Sequence, residues 1–389
     1  MAAIVLCLAF LFAVPIPGAQ AAEHAAPLVV GGLFAQSGPE AKIGKAGKLA
    51  AELAVRQINS MGGILGRPVK LITGDTESSP SVALRQARQL VENDHALALI
   101  GPSATAAGLA VKAYTEKRQV PVIMTTADDA VLAGGRAGSS AWTFTIAPRT
   151  AAAVEKICEY LRGKNIKKIG VLYAKDAFGQ DGLDAFRESA GKYGIEVVAA
   201  EACPPRETDF SAQAATLQAA GPQAAVVWAL GPDGATMARN LAALPGSRPL
   251  LVQCPAQAGP EYLQQAGEAA SGTVLPGTKL MAPECLPDED PQKLVIETFL
   301  KAYEQDGQHT RGPRNIQAGY AYDAMLLLRA GLEKAGKADA AALRNALENL
   351  HKVVGVSGIY DFSSQDHNGL DADSLIMLIV DSGRYKLAP

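Results

Sequence analysis

Ser103 and Thr105 are the side chains whose setting in this sequence most clearly suggests chemistry. An apolar run, Ala96-Leu97-Ala98-Leu99-Ile100, ends at Gly101-Pro102, and the small residues Ser103-Ala104-Thr105 then open a helix-forming stretch. Hydroxyls in that position stand beside the free N–H groups of a helix N-terminus. Such a terminus binds an anion through backbone donors and the positive end of the helix dipole. The loop holds no acid, base or thiol, so it is suited to holding a carboxylate and not to transforming one. Ser103 also admits a purely local reading as a helix cap.

Catalytic chemistry finds no motif elsewhere. There is no G-x-G-x-x-G after the first apolar strand, no Walker A sequence and no G-x-S-x-G. The histidines, His24, His95, His309, His351 and His367, form no H-x-x-x-H pair. Cys158, Cys203, Cys254 and Cys285 contain no C-x-x-C, so neither a zinc site nor a redox motif is indicated. Disulfides are permitted in an exported chain, and buried free thiols are the other reading. No metal and no cofactor is called for.

The elements that must position the loop follow from pattern. At 389 residues the chain is long for one core, which points to two domains. With 48% hydrophobic and 19% charged residues the composition is globular. A net charge of -3 with no basic stripe, and only 5% aromatics, argues against nucleic acid. Residues 4–16 form an apolar run followed by Ala19-Gln20-Ala21, which reads as a signal peptide over residues 1–22. That run is shorter than the roughly 20 residues a membrane span needs.

Beyond it, strand and helix patterns alternate. Strands are expected at Leu28–Phe34, Val69–Thr73, Ala96–Ile100, Val120–Thr126, Lys168–Tyr173, Ile195–Ala200, Ala224–Leu230 and Leu250–Gln253. Helices are expected between them, including Gly47–Met61 and 105–118. Longer helices follow near 291–305, 316–335 and 339–351, then a last strand at Ser374–Val380. Alternation of this kind gives an α/β fold with parallel sheets covered by helices. Two such series, the second beginning at Ala151, give two Rossmann-like lobes, and ligands of open parallel sheets bind at the carboxyl ends of the strands.

Several segments, in order, resemble the periplasmic solute-binding proteins of the Leu/Ile/Val-binding type, which have the type I periplasmic binding fold. They are Gly44-x-x-Gly47, Leu49–Val55, Ile58-Asn59, Gly62–Arg67, Asp75, Gly101-Pro102-Ser103, Asp176–Gly179, Asp209–Ala212 and Gly358–Phe362. The resemblance implies a monomeric periplasmic protein that closes over a small molecule and passes it to the permease of an ABC importer. It also implies three crossings between lobes, with lobe 1 at 27–147 plus 278–358 and lobe 2 at 148–277 plus 359–389. A ligand-sensing receptor on the same fold, working with a signalling partner, is the alternative.

Family positions carried onto this sequence give a candidate binding set. Ser103, Ala104 and Thr105 would hold the ligand carboxylate, and Ala127 would offer a backbone group. Asp128 falls where a hydroxyl is usual; it either caps a short helix or meets a cationic or hydroxyl group. In lobe 2, Phe178 and Leu230 would cover an apolar body, while Trp228, Tyr320 and Tyr322 read as core. Gln257 stands where amino-acid binders carry an acid for the ammonium; it can hydrogen-bond but cannot neutralise a charge. The solute class is therefore a carboxylate: a branched-chain or other amino acid, or an aromatic or aliphatic carboxylic acid. Gln36 and Ser37 admit either ligand contact or simple turn formation.

Overall fold

The computed structural model describes residues 26–126, 129–132, 140–305 and 316–389. The signal-peptide segment, Ala127 and Asp128 lie outside the described residues. The first series runs β1 (Leu28–Phe34), α1 (Ala41–Ser60), β2 (Val69–Asp75), α2 (Pro80–Arg88), β3 (Ala98–Ile100), α3 (Thr105–Arg118), β4 (Val122–Met124), α4 (Asp129–Leu132) and β5 (Thr143–Thr145). The second runs α5 (Thr150–Gly163), β6 (Lys168–Ala174), α6 (Ala177–Ser189), β7 (Glu196–Cys203), α7 (Ser211–Ala219), β8 (Ala224–Trp228), α8 (Gly231–Ala243), β9 (Leu250–Gln253), α9 (Pro260–Ala266) and β10 (Val274–Gly277). Then come α10 (Lys293–Gln305), α11 (Ile316–Ala335), α12 (Ala340–Leu347), the short pair β11 (Val353–Val354) and β12 (Ile359–Tyr360), and the hairpin β13 (Ile376–Asp381) and β14 (Arg384–Leu387).

The first sheet has the order β2-β1-β3-β4-β5 and is parallel throughout. The second has the order β14-β13-β10-β9-β8-β6-β7, in which β7 to β10 are parallel and the hairpin adds antiparallel strands at the edge. Without that hairpin the two orders are the same. Each reverses direction once, between β1 and β3 and between β6 and β8. The central strands are buried on both faces, as β8 shows at every position, because helices cover both sides.

The same local device follows the first strand of each sheet. A side chain added at Gly44 would lie 2.0 Å from the Ala35 carbonyl, and one added at Gly179 would lie 1.9 Å from that of Ala174. Both glycines let the following helix pack tightly on the strand end. This contact explains why α1 begins at Ala41, not at Gly47. The apolar periodicity starts only at Leu49, and tertiary packing fixes the turns before it.

Other elements depart from pattern in specific ways. The last strand begins at Ile376, because Ala372–Ser374 forms a short 3-10 turn, and it is followed by β14, Arg384–Leu387. The return to the second sheet comes later than residue 359. Tyr360, Phe362, His367 and Asn368 pack against β5 and the segment after it. The Asn368 amide donates to Thr145 Oγ1 (3.0 Å) and to the Ala147 carbonyl (2.8 Å), and Phe144 stacks on His367 at 4.2 Å. The four cysteines among the described residues are free thiols; Cys158, Cys203 and Cys254 are buried and Cys285 is exposed.

Candidate functional site

The carboxyl ends of both sheets, at their points of reversal, border one cleft, with about 550 Å³ of space between the walls when the part open to solvent is included. Ser103 and Thr105 reach it from the loop after β3, and Thr126 from the end of β4. From the second sheet, Phe178 reaches it after β6, Trp228 and Leu230 at the end of β8, and Pro255 and Ala256 after β9. Thr150 lines it at the start of α5, and Gln317 and Tyr320 from the first turns of α11. None of the described lining residues carries a charged side chain.

The Ser103 loop is shaped by its backbone. Gly101 has a φ of +76° and the Gly101-Pro102 bond is cis. Ala104 then takes the N-cap position in an extended conformation and makes no side-chain cap. Gly108 donates to the Ala104 carbonyl at 2.8 Å, so the amides of Thr105, Ala106 and Ala107 have no acceptor within α3. Neither the Ser103 nor the Thr105 hydroxyl bonds to a described residue. Ser103 is therefore not a helix cap. Ala104 sits between the two hydroxyl residues but packs on the apolar cluster under β3 and β4, not into the cavity.

The opposite wall is apolar and built of rings. Phe178 and Trp228 stack with centroids 5.8 Å apart, and Phe186 and Trp228 meet edge-to-face at 5.7 Å. Phe178 is presented by the first turn of α6. Its N-cap, Asp176, accepts from the Gly179 amide at 2.8 Å, so this terminus is closed by its own side chain. Leu230 takes the N-cap position of α8 without offering a polar group.

Gln257 does not line the cavity. It is 4% exposed, and its amide donates to the Ala229 carbonyl (2.8 Å) and the Gly231 carbonyl (3.0 Å). These bonds hold the turn that carries Leu230, so the residue acts on the site through its wall. Gln36 and Ser37 are also engaged elsewhere. Their amides donate to Asp75 Oδ1, the Ser37 hydroxyl donates to Asp75 Oδ2 at 2.8 Å, and Lys48 donates to the Gln36 side chain. They form a turn and do not line the cavity.

Trp228 and Tyr320 are both buried, as core residues would be, yet each also forms part of the cavity wall. No sequence signal marked Trp228, which lies inside the expected strand Ala224–Leu230 and becomes its last residue only in the structure. Tyr322 is core, and its hydroxyl donates to Gln57 at 2.6 Å. Burial, and behind it the nearby Asp323 carboxylate, pushes the Tyr320 hydroxyl above the ordinary tyrosine range, so it is a neutral donor and acceptor. Asp323 is itself buried and accepts from the Val356 and Ser357 amides and the Tyr360 hydroxyl.

Comparison with known proteins places this arrangement. The model of the family described as periplasmic binding protein matches residues 27–384. The chain is 27% identical over 340 residues to the Leu/Ile/Val-binding protein homolog 3 of Brucella melitensis, covering 87% of each. It is 31% identical over 176 residues to the chemotactic signal transduction system substrate-binding protein BasB of Halobacterium salinarum, covering 42% of this chain and 41% of that one. The fold is shared with an extracellular ligand-binding receptor of Rhodopseudomonas palustris, with a TM-score of 0.85 at 22% identity over 94% of this chain and all of the other.

Proposed function

Because this chain belongs to the periplasmic binding protein family, we propose that it is the solute-binding component of an importer and takes a small carboxylate-bearing solute into the cavity between its sheets. The observation that carries this reading is the open N-terminus of α3, where two unbonded hydroxyls, Ser103 and Thr105, border a cavity whose described wall has no charged side chain. A carboxylate there accepts from hydroxyls and amides and lies at the positive end of the dipole. Phe178, Trp228 and Leu230 cover its apolar body. The family's periplasmic location is consistent with a cleaved segment over residues 1–22.

In this reading the units move as lobes about their crossings. Closure removes water from the cleft and strengthens each polar contact inside it. Residues 359–370 travel with lobe 1, given their bonds to the segment after β5. Branched-chain amino acids fall within the solute class, as the name of the Brucella relative suggests. Their ammonium would need a counter-charge from Asp128 or Asp233, since Gln257 is uncharged and engaged with backbone carbonyls.

A thermal-shift screen of ligand-stripped protein against amino acids, keto acids, aromatic acids and short fatty acids tests the reading, because a ligand that binds only the folded state raises its melting temperature. A rise with at least one carboxylate class, and none with the matching amides, is expected. No rise with any carboxylate overturns it. The BasB similarity favours a second reading, a receptor that hands its occupancy to a signalling partner. Adjacent genes for a permease and an ATPase support import; an adjacent chemoreceptor gene supports sensing.

A further inference from the structure

The cavity has a second polar side for which a carboxylate at Ser103 gives no role. Thr150 is 2% exposed, lines the cavity, and its hydroxyl has no hydrogen-bond partner. Tyr320 is also 2% exposed, and its hydroxyl bonds to no described residue. Gln317 lies one turn earlier on the same face of α11, and its amide is likewise unbonded among the described residues. Buried polar groups left without partners are costly, and sites that keep several of them are sites where something else supplies the bond.

These groups belong to one corner. The Tyr360 hydroxyl reaches Asp323, one turn past Tyr320 on α11, at 2.9 Å, and the Ile146 carbonyl, just ahead of Thr150, at 3.2 Å. It ties the start of α5 to the start of α11.

Thr150 also repeats the setting of Thr105. Both open helices of 14 residues, and both follow an N-cap residue in extended conformation with no side-chain cap. Ala153 donates to the Arg149 carbonyl at 3.1 Å, so the Thr150 and Ala152 amides have no acceptor within α5. Proline precedes each threonine closely, at Pro102 and Pro148. The N-termini of α3 and α5 therefore both meet the cavity without a side-chain cap. The positive end of α5 attracts an oxygen and disfavours an ammonium.

We propose that Thr150, Tyr320 and Gln317 form a second polar subsite, so that the ligand carries a further acceptor oxygen, as a keto, hydroxyl or second carboxylate group. The inference rests on the carboxylate reading and narrows its solute class.

Isothermal titration with hexanoate, its alpha-keto and omega-keto derivatives, and hexanedioate tests it on the full protein. At least one oxygenated acid should bind about tenfold or more tightly than hexanoate. In the Thr150→Val, Tyr320→Phe double variant that preference should fall to about threefold or less, while Thr150→Ser, which keeps the hydroxyl, should retain it. Should the double variant fail to fold, the Thr150→Val and Thr150→Ser pair carries the same contrast. Equal binding of all four acids overturns the subsite alone, as does a preference that survives loss of both hydroxyls. Failure of all four acids to bind overturns the subsite, and the carboxylate reading falls with it only if the thermal-shift screen also finds no carboxylate that binds.

Discussion

The loop at 101–105 and the loop at 254–259 are both polar turns at the carboxyl ends of parallel strands, yet they use their polar groups in opposite ways. The first leaves the Ser103 and Thr105 hydroxyls and the first amides of α3 without partners. The second uses its groups internally. Gln257 binds two carbonyls through its side chain, and its own carbonyl and that of Gly259 accept from the Tyr385 hydroxyl at 2.8 Å. Residue type does not separate the two loops, since an amide hydrogen-bonds as readily as a hydroxyl. What separates them is whether the protein has already filled those bonds. A filled loop is scaffold, and an unfilled loop beside a cavity is a site.

The furthest case on the filled side is Asp323, which offers the largest expected effect. Its buried carboxylate holds the 356–357 turn and Tyr360, and through Tyr360 the segment after β5. Asp323→Asn keeps the shape but sets an NH₂ group against N–H donors, at a cost of about 3 kcal/mol. Burial pushes the Asp323 carboxyl up to about 6, despite the amides of Val356 and Ser357 and the Tyr360 hydroxyl that favour its charged form. The folded protein thus holds this proton more tightly than the unfolded chain, whose value is near 3.8. The group's contribution to stability is complete below that lower value and is lost as pH rises through about 6. Urea midpoints of the wild type, measured across that window, should fall relative to those of the Asn variant. Parallel curves would show that Asp323 is charged throughout.

Gln257→Ala comes next. It leaves the Ala229 and Gly231 carbonyls without their donor and opens a gap against Gly234, whose Cα region lies under the Gln257 amide. A loss of about 2 kcal/mol in folding free energy is expected, read as a lower melting temperature. If the variant melts as the wild type does but loses ligand, Gln257 belongs with the site after all and the contrast between the loops fails.

How far sequence reaches follows the same division. Elements whose own pattern determines them were legible: β1, β9, α3 and α11 fall where periodicity puts them. β14 was not, because Arg384-Tyr385-Lys386-Leu387 shows no long apolar alternation, and it is held by pairing to β13 and by buried Tyr385. Within the site, the Ser103 loop was legible because strand, Gly-Pro and small hydroxyls are all local. Trp228 and Tyr320 were not, since a buried ring on a wall and one in a core have the same sequence signature. Gln257 was misleading for a related reason. Its partners lie 26 and 28 residues away, and no local pattern reports them.

The open loop gives the smallest effect in energy and the most discriminating one. In Ser103→Ala, Thr105→Ala the ligand loses two hydroxyl contacts but keeps the α3 amides, so affinity should fall about tenfold, near 1.4 kcal/mol, with binding not abolished. The melting temperature of the ligand-free variant should hardly move, because neither hydroxyl bonds to a described residue and neither caps the helix. Measured together by titration and melting, Gln257→Ala should move stability first and this pair affinity alone. A stability loss as large as that of Gln257→Ala would mean that the two hydroxyls already have partners in the folded chain. The loop would then be scaffold like its counterpart, and the anion would be held by the backbone of α3 alone.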